Sequence, residues 1–147
     1  MKNLIFIGLL IISLLTSCQN KTKAKEEVSV SASEEQVDYV ENLSDRILKA
    51  QKDGGFYKLT ESEASIKMVT GLNETLQKST YAKIKGLLGD YKELEFYSLE
   101  EIKKDQVYQI YRFRGYFELG SDVEIRSVLD SEGKLAGFFV KPWKDKL

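Results

Sequence analysis

The sequence predicts an α+β domain in which N-terminal helices pack into a strongly curved, four-stranded antiparallel meander sheet. Three observations carry this. Between residues 33 and 89, apolar residues recur at helical spacing behind side chains suited to capping helices. From residue 93 the period switches to two. Beyond the switch, short turns ending in glycine separate runs of aromatic and β-branched residues, the pattern of consecutive hairpins. Helices followed by strands, rather than alternating with them, give the α+β class.

The elements follow in order. Ser33-Glu34-Glu35-Gln36 is a capping-box pattern, and Val37, Val40, Leu43, Ile47 and Leu48 continue it at helical spacing as far as Gly54-Gly55. Thr60-Glu61-Ser62-Glu63 is a second capping box, with Ile66, Val69 and Leu72 expected on one face of the helix it opens. Asn73 is expected to cap a third helix that turns Leu76, Thr80, Ile84, Leu87 and Leu88 inward and ends at Gly89. Leu94 and Phe96 alternate with Glu93, Glu95 and Tyr97 in the first strand. Residues 107–117, 123–129 and 135–140 form the other three.

Glu118-Leu119-Gly120 and Ser131-Glu132-Gly133 both read as three-residue loops with glycine in the left-handed third place. This pairs Phe117 with Ser121 and Asp130 with Lys134. Counting back sets Phe113 opposite Ile125, Gly115 opposite Val123, and Arg114 opposite Glu124 as a favourable cross-strand pair. It also sets Leu129 opposite Leu135, Ser127 opposite Gly137, and Ile125 opposite Phe139. The inward face then carries Tyr111, Phe113, Gly115, Phe117, Val123, Ile125, Ser127, Leu129, Leu135, Gly137 and Phe139. The small members Gly115, Ser127 and Gly137 fall together and predict a bend wrapped around the first helix.

The first eighteen residues concern location. Met1-Lys2-Asn3 is a short cationic start, and the twelve residues 4–15 are apolar but for Gly8 and Ser13. That is the length of a signal-peptide core, whereas a membrane-spanning helix needs about 20 residues. Leu15-Thr16-Ser17-Cys18 resembles the bacterial lipobox, and Cys18 is the only cysteine of the chain. The resemblance implies cleavage between Ser17 and Cys18, a diacylglycerol thioether on Cys18, and acylation of the new amine with a fatty acid such as palmitate. It makes the protein a lipoprotein of the bacterial cell envelope, held to the bilayer through more than one acyl chain. Gln19 rather than aspartate follows the cysteine, which is compatible with the outer membrane in a Gram-negative cell. Residues 1–17 are thus expected to be a signal peptide, 18–34 a lipidated cysteine and polar tether poor in apolar residues, and 35–147 a single domain.

Composition narrows the chemistry. The chain has no histidine, 22 basic and 23 acidic residues, and a net charge of −1. Imidazole catalysis and imidazole metal sites are therefore absent, and no whole-chain positive field draws nucleic acid. One cysteine allows neither an intrachain disulfide nor a thiolate metal cluster. No metal or cofactor is expected.

The run from Gly55-Phe56-Tyr57 through Leu88-Gly89-Asp90-Tyr91 and Tyr111-Arg112-Phe113 to Asp130-Ser131-Glu132-Gly133-Lys134-Leu135-Ala136-Gly137-Phe138 resembles the family called domain of unknown function 3887. That family belongs to the cystatin-like or nuclear-transport-factor-2-like cones, and the likeness spans roughly residues 35–143. It implies an accessory role, with no established catalytic residues to carry over.

Three functions stay open on these grounds. The first is a non-enzymatic binding or accessory module. The second is a carrier or sensor of a small apolar ligand, with Tyr111, Phe113, Ser127 and Phe139 lining a pocket in the cone. The third is an enzyme using a carboxylate and a tyrosine, with Asp38, Asp45 or Glu63 sent inward from the helical part. The outer face is expected to carry Tyr108, Ile110, Arg112, Tyr116, Phe138 and Trp143 as an interface for a second copy or an envelope protein. Arg112, Arg114, Glu124 and Arg126 cluster among them.

Overall fold

The computed structural model describes residues 33–145. The expected signal peptide, the expected lipidation site Cys18 and the expected tether up to residue 32 lie outside the described residues. Three helices, α1 (Glu34–Lys52), α2 (Ile66–Gly71) and α3 (Glu74–Leu88), precede four strands, β1 (Tyr91–Lys103), β2 (Val107–Phe117), β3 (Gly120–Leu129) and β4 (Leu135–Pro142). The strands form one open antiparallel sheet in the order β1-β2-β3-β4. This is the expected α+β architecture. Among the described residues no helix is long and apolar enough to cross a membrane.

The first helix forms where its caps and periodicity place it. The Ser33 side chain accepts from the Gln36 backbone N–H, and Glu34 and Glu35 sit at the positive end of the helix dipole, with Lys49 and Lys52 at the other. Its inward stripe is Val40, Leu43, Ile47 and Leu48, all fully buried against the sheet. Ser44 lies on that stripe. Its hydroxyl donates to the Val40 carbonyl at 2.7 Å and contacts Ser127 Oγ of β3 at 2.7 Å. Because a hydroxyl has a single proton, Ser127 is then the donor of that second bond.

Only one half of the second capping box forms, and it caps no helix. Thr60 N–H donates to Glu63 Oε2 at 3.0 Å, closing a lone turn. The helix begins only at Ile66, behind Ser65. Residues 63–65 lie instead along the edge of β4, with Ser65 N–H on the Leu135 carbonyl and Leu135 N–H on the Glu63 carbonyl. Ile66, expected to face inward, is 70% exposed, while Met68, Val69 and Leu72 pack on the core.

In α3 the expected cap holds, with Asn73 Oδ1 accepting from Leu76 N–H at 3.0 Å. Ile84 and Leu88 pack on the core as expected, but in the first half of the helix the buried face is displaced by one residue. Gln77 and Tyr81 are buried and Ile84 and Leu88 are half-buried, whereas Leu76 is 47% and Leu87 77% exposed and Thr80 is exposed. Two polar side chains explain the rotation. The Gln77 amide accepts from Tyr57 N–H and donates to the Tyr57 and Leu72 carbonyls, satisfying the backbone of the segment between α1 and α3. The Tyr81 hydroxyl accepts from Tyr91 N–H and donates to Asp90.

Register is as expected in the centre of the sheet. Phe113 pairs with Ile125, Gly115 with Val123, and Arg114 with Glu124. The Asp130–Gly133 turn closes with Asp130 N–H on the Lys134 carbonyl, and Gly133 takes φ 75°. The other turn is shorter than expected. Phe117 pairs with Gly120, not Ser121, and an irregularity between Gly115 and Phe117 restores the register.

A second irregularity, between Val128 and Leu129, changes β4. Leu129 still pairs with Leu135, but Ser127 pairs with Phe138, Val128 with Gly137, and Ile125 with Val140. One inserted residue reverses the faces of a strand. Phe138 and Val140 therefore pack on the core, while Phe139 stands outside, 51% exposed. The expected inward Gly137 and Phe139 and outward Phe138 are exchanged. Further irregularities in β1, at Tyr91/Glu93 and Phe96/Ser98, bend the sheet on its other side.

Candidate functional site

The expected inward pocket is occupied by the protein itself. Tyr111, Phe113 and Ser127 are fully buried, and the α1 stripe packs directly on them. Phe113 meets Phe96 edge to face at 5.9 Å. Phe139, the fourth expected lining residue, is on the opposite side of the sheet.

The carboxylate–tyrosine pairs that the structure does contain hold elements together. Tyr91 OH donates to Asp45 Oδ1 at 2.9 Å, joining β1 to α1, and Lys49 bridges the same carboxylate at 2.7 Å. Burial, followed by the Asp45 charge, pushes the Tyr91 phenol far above its ordinary range. Tyr57 OH donates to Glu63 Oε1 at 2.6 Å, and Arg46 lies over the Tyr57 ring at 5.1 Å. Burial pushes the Glu63 carboxyl up, but hydrogen bonds from Tyr57 and Thr60 outweigh it and hold the group below the usual glutamate value. Asp38 is exposed. Among the described residues no group of acidic side chains has metal-binding geometry.

The outer face holds the most concentrated chemistry of the molecule. Alternation along β2 and β3 turns Arg112, Arg114, Glu124 and Arg126 outward, and register sets Glu124 opposite Arg114 and diagonal to Arg112, which stands opposite Arg126. Arg112 grips Glu124 with two parallel bonds, Nε to Oε1 at 3.1 Å and Nη2 to Oε2 at 3.0 Å. Arg126 Nε donates to Glu124 Oε1 at 2.6 Å, and Lys141 of β4 lies 3.8 Å from the same oxygen. Arg112 and Glu124 are buried, at 1% and 0% exposure. Burial drives the Glu124 carboxyl up, yet the bonds from Arg112 and Arg126 reverse this and hold it below 4.5, its ordinary value. Burial lowers Arg112, and Glu124 and Glu100 more than restore it.

The cover over this ion pair comes from the segment after β4. Trp143 N–H donates to the Asp122 carbonyl at 2.9 Å, which lays the indole over the cluster. Arg114 stacks on it at 4.1 Å, Arg112 lies 5.3 Å away, and Tyr97 meets its ring edge to face at 4.7 Å. Tyr97 reaches this side by alternation after inward Phe96, and the β1 irregularity at Phe96/Ser98 then puts Ser98 opposite Arg112 and Glu100 on the same side. Arg112 also donates to the backbone carbonyls of Lys144 and Asp145 and, at 3.4 Å, to Glu100 Oε1.

The expected interface residues therefore divide. Arg112 and Trp143 are at the centre of the cluster. Tyr116 bonds Glu95 at 2.9 Å beside it, Ile110 is buried on the same face, and Tyr108 bonds Gln106 and Asp105 near the β1–β2 turn. Phe138 belongs to the core. Tyr97 lies on the face its alternation with Leu94 and Phe96 gives it, whereas Glu100 and Asp145 join the cluster without having stood out in sequence, because an irregularity and a tail place them there and neither leaves a periodic signal. Compared with known proteins, the chain matches no family model, no curated protein and no solved structure.

Proposed function

We propose that the protein is a bacterial envelope lipoprotein, anchored through acylated Cys18, whose α+β domain is a non-enzymatic binding module that meets a protein partner with its outer sheet face. The observation that carries the reading is the aromatic and arginine group on that face. Trp143 lies between Arg114 and Tyr97, and the flanking Tyr97 and Phe139 are each 51% exposed. Partly exposed aromatics around well-packed arginine and tryptophan are what energetically dominant interface positions are made of. The filled interior supports an outward rather than an enclosed site. The accessory role implied by the resemblance to the domain of unknown function 3887 family agrees with it.

Two measurements test the two halves of the proposal. Cys18→Ser is expected to abolish incorporation of a fatty-acid analogue and to move the protein from the membrane to the soluble envelope fraction. Continued membrane fractionation of a wild type that carries no lipid overturns the anchor. For the surface, crosslinking in intact cells followed by Phe139→Glu is expected to lose the crosslinked partner while the circular dichroism spectrum stays unchanged. A partner retained at wild-type yield by Phe139→Glu, or no crosslinked protein from the wild type, overturns the proposed face.

A further inference from the structure

We infer that the end of the Arg112 guanidinium is a recognition point for a carboxylate, and that residues 143–145 form a strap which such a carboxylate displaces. The inference rests on the outer face being a binding surface and names the chemistry bound there.

A guanidinium presents two edges that match the two oxygens of a carboxylate, one along Nε and an Nη, the other across Nη1 and Nη2. Glu124 takes the first edge with both oxygens. The second edge faces the chain's own tail, with Nη2 donating to the Lys144 carbonyl and Nη1 to the Asp145 carbonyl at 3.5 Å. Glu100 Oε1 shares Nη1 from the side at 3.4 Å. Two separate, neutral carbonyl oxygens thus stand where the paired oxygens of one carboxylate fit. Charge-assisted bonds to a carboxylate are roughly twice as strong as neutral ones.

Four cations, Arg112, Arg114, Arg126 and Lys141, face three carboxylates, Glu124, Glu100 and Asp122, which leaves one positive charge to meet an acidic ligand, and Arg114 lies over the indole that roofs the buried pair. Burial pushes the Lys141 ammonium down, and Arg126, Arg112 and Lys144 add to this against the pull of Glu124. The strap is pinned at Trp143 and lightly held beyond it. Lys144 and Asp145 are exposed, and among the described residues the bonds they contribute are the two carbonyl contacts and Asp145 Oδ1 accepting from Trp143 Nε1 at 3.1 Å. Trp143 is the chain's one tryptophan, so its fluorescence reports the strap directly.

The test titrates the full chain with hexaglutamate and, as control, hexaglutamine. The chain carries a net charge of −1, so a polyanion meets no general attraction. Hexaglutamate is expected to shift the Trp143 emission saturably, with hexaglutamine inert. Trp143→Ala, followed by calorimetry, is expected to bind hexaglutamate about tenfold tighter, as when a strap closed ten times more often than open is released. Arg112→Lys keeps the charge beside Glu124 but not the fork, and where circular dichroism finds it folded it is expected to bind no hexaglutamate. Sedimentation of the protein alone distinguishes the source of the carboxylate. A monomer points to a foreign acidic segment, and a dimer that hexaglutamate dissociates points to Glu93 and Glu95 on β1 of a second copy. No response to hexaglutamate, an equal response to hexaglutamine, or unchanged affinity in Trp143→Ala overturns the inference. The crosslinking result above stands or falls separately, since a partner that depends on Phe139 does not require a carboxylate.

Discussion

Glu124 is a fully buried carboxylate surrounded by three cations, and its acidity decides how the molecule responds to acid. Its folded value lies below 4.5, so the stability it contributes is complete above that pH and is lost as pH falls through the folded value. Glu124→Gln leaves Arg112 buried without its counter-charge, a change that typically costs about 3–5 kcal/mol. Urea denaturation is expected to find the variant much less stable than wild type at pH 7. The difference shrinks on acidification, because wild type then protonates the same group. A gap that persists undiminished at the lowest pH at which both remain folded contradicts this account. The two sheet glycines also differ at this scale. A Cβ on Gly115 would stand 2.7 Å from Ile125 Cδ1 and 3.3 Å from Phe117 Cε2, both in the sealed core. A Cβ on Gly137 would stand 2.8 Å from the ring edge of Phe139, which is exposed and free to turn away. Gly115→Ala is expected to cost about 1–3 kcal/mol, the range of overpacked cores, and Gly137→Ala clearly less. Equal midpoints in thermal unfolding would show that the bend is not packed as described.

At the scale of the element, the decisive event is the irregularity between Val128 and Leu129. It exchanges the two faces of β4 after the turn, so adjacent phenylalanines have opposite environments. Phe138→Glu places a carboxylate against the core and is expected to unfold the domain or lower its melting temperature sharply, whereas Phe139→Glu is expected to leave it nearly unchanged. The reverse order in a thermal-shift measurement would restore the uninterrupted register. Helix α3 shows a related effect in a helix. A buried glutamine and a tyrosine, bonded to backbone groups in a connecting segment and at the start of β1, outrank two leucines for the inward face. Satisfying several buried peptide groups is worth more there than covering Leu76 and Leu87.

At the scale of the whole molecule, α1 closes the concave side and the tail covers part of the convex side. On the convex side, the rim of the tail carries exposed Tyr97 and Phe139, with Arg114 and the strap beside them. The anchor proposed at Cys18 would confine diffusion, and the proposed carboxylate-directed contact would then gain from high local concentration. This makes the Cys18→Ser variant informative beyond fractionation. Besides leaving the membrane, it is expected to recover less of the partner in the crosslinking measurement even though the outer face is untouched. Equal recovery from the released protein would show that the anchor plays no part in binding.

Local properties were legible in the sequence. The caps Ser33 and Asn73, the apolar stripe of α1, the switch from helical to alternating period, and the glycine of the Asp130–Gly133 turn depend on residues a few positions apart, and each forms as read. So does the central register of β2 with β3, where Phe113 stands opposite Ile125 and Arg114 opposite Glu124, although the ion pair is made diagonally by Arg112 and the register slips near the turn. The tertiary structure alone decided which face of β4 is buried, which stripe of α3 turns inward, that the interior is filled rather than hollow, and that Trp143 with its two neighbours roofs Arg112. Each of these turns on a single inserted residue or a contact between distant segments. Periodicity reports which side chains share a face, but a one-residue irregularity reverses that face, and only packing against the rest of the chain determines whether it is covered.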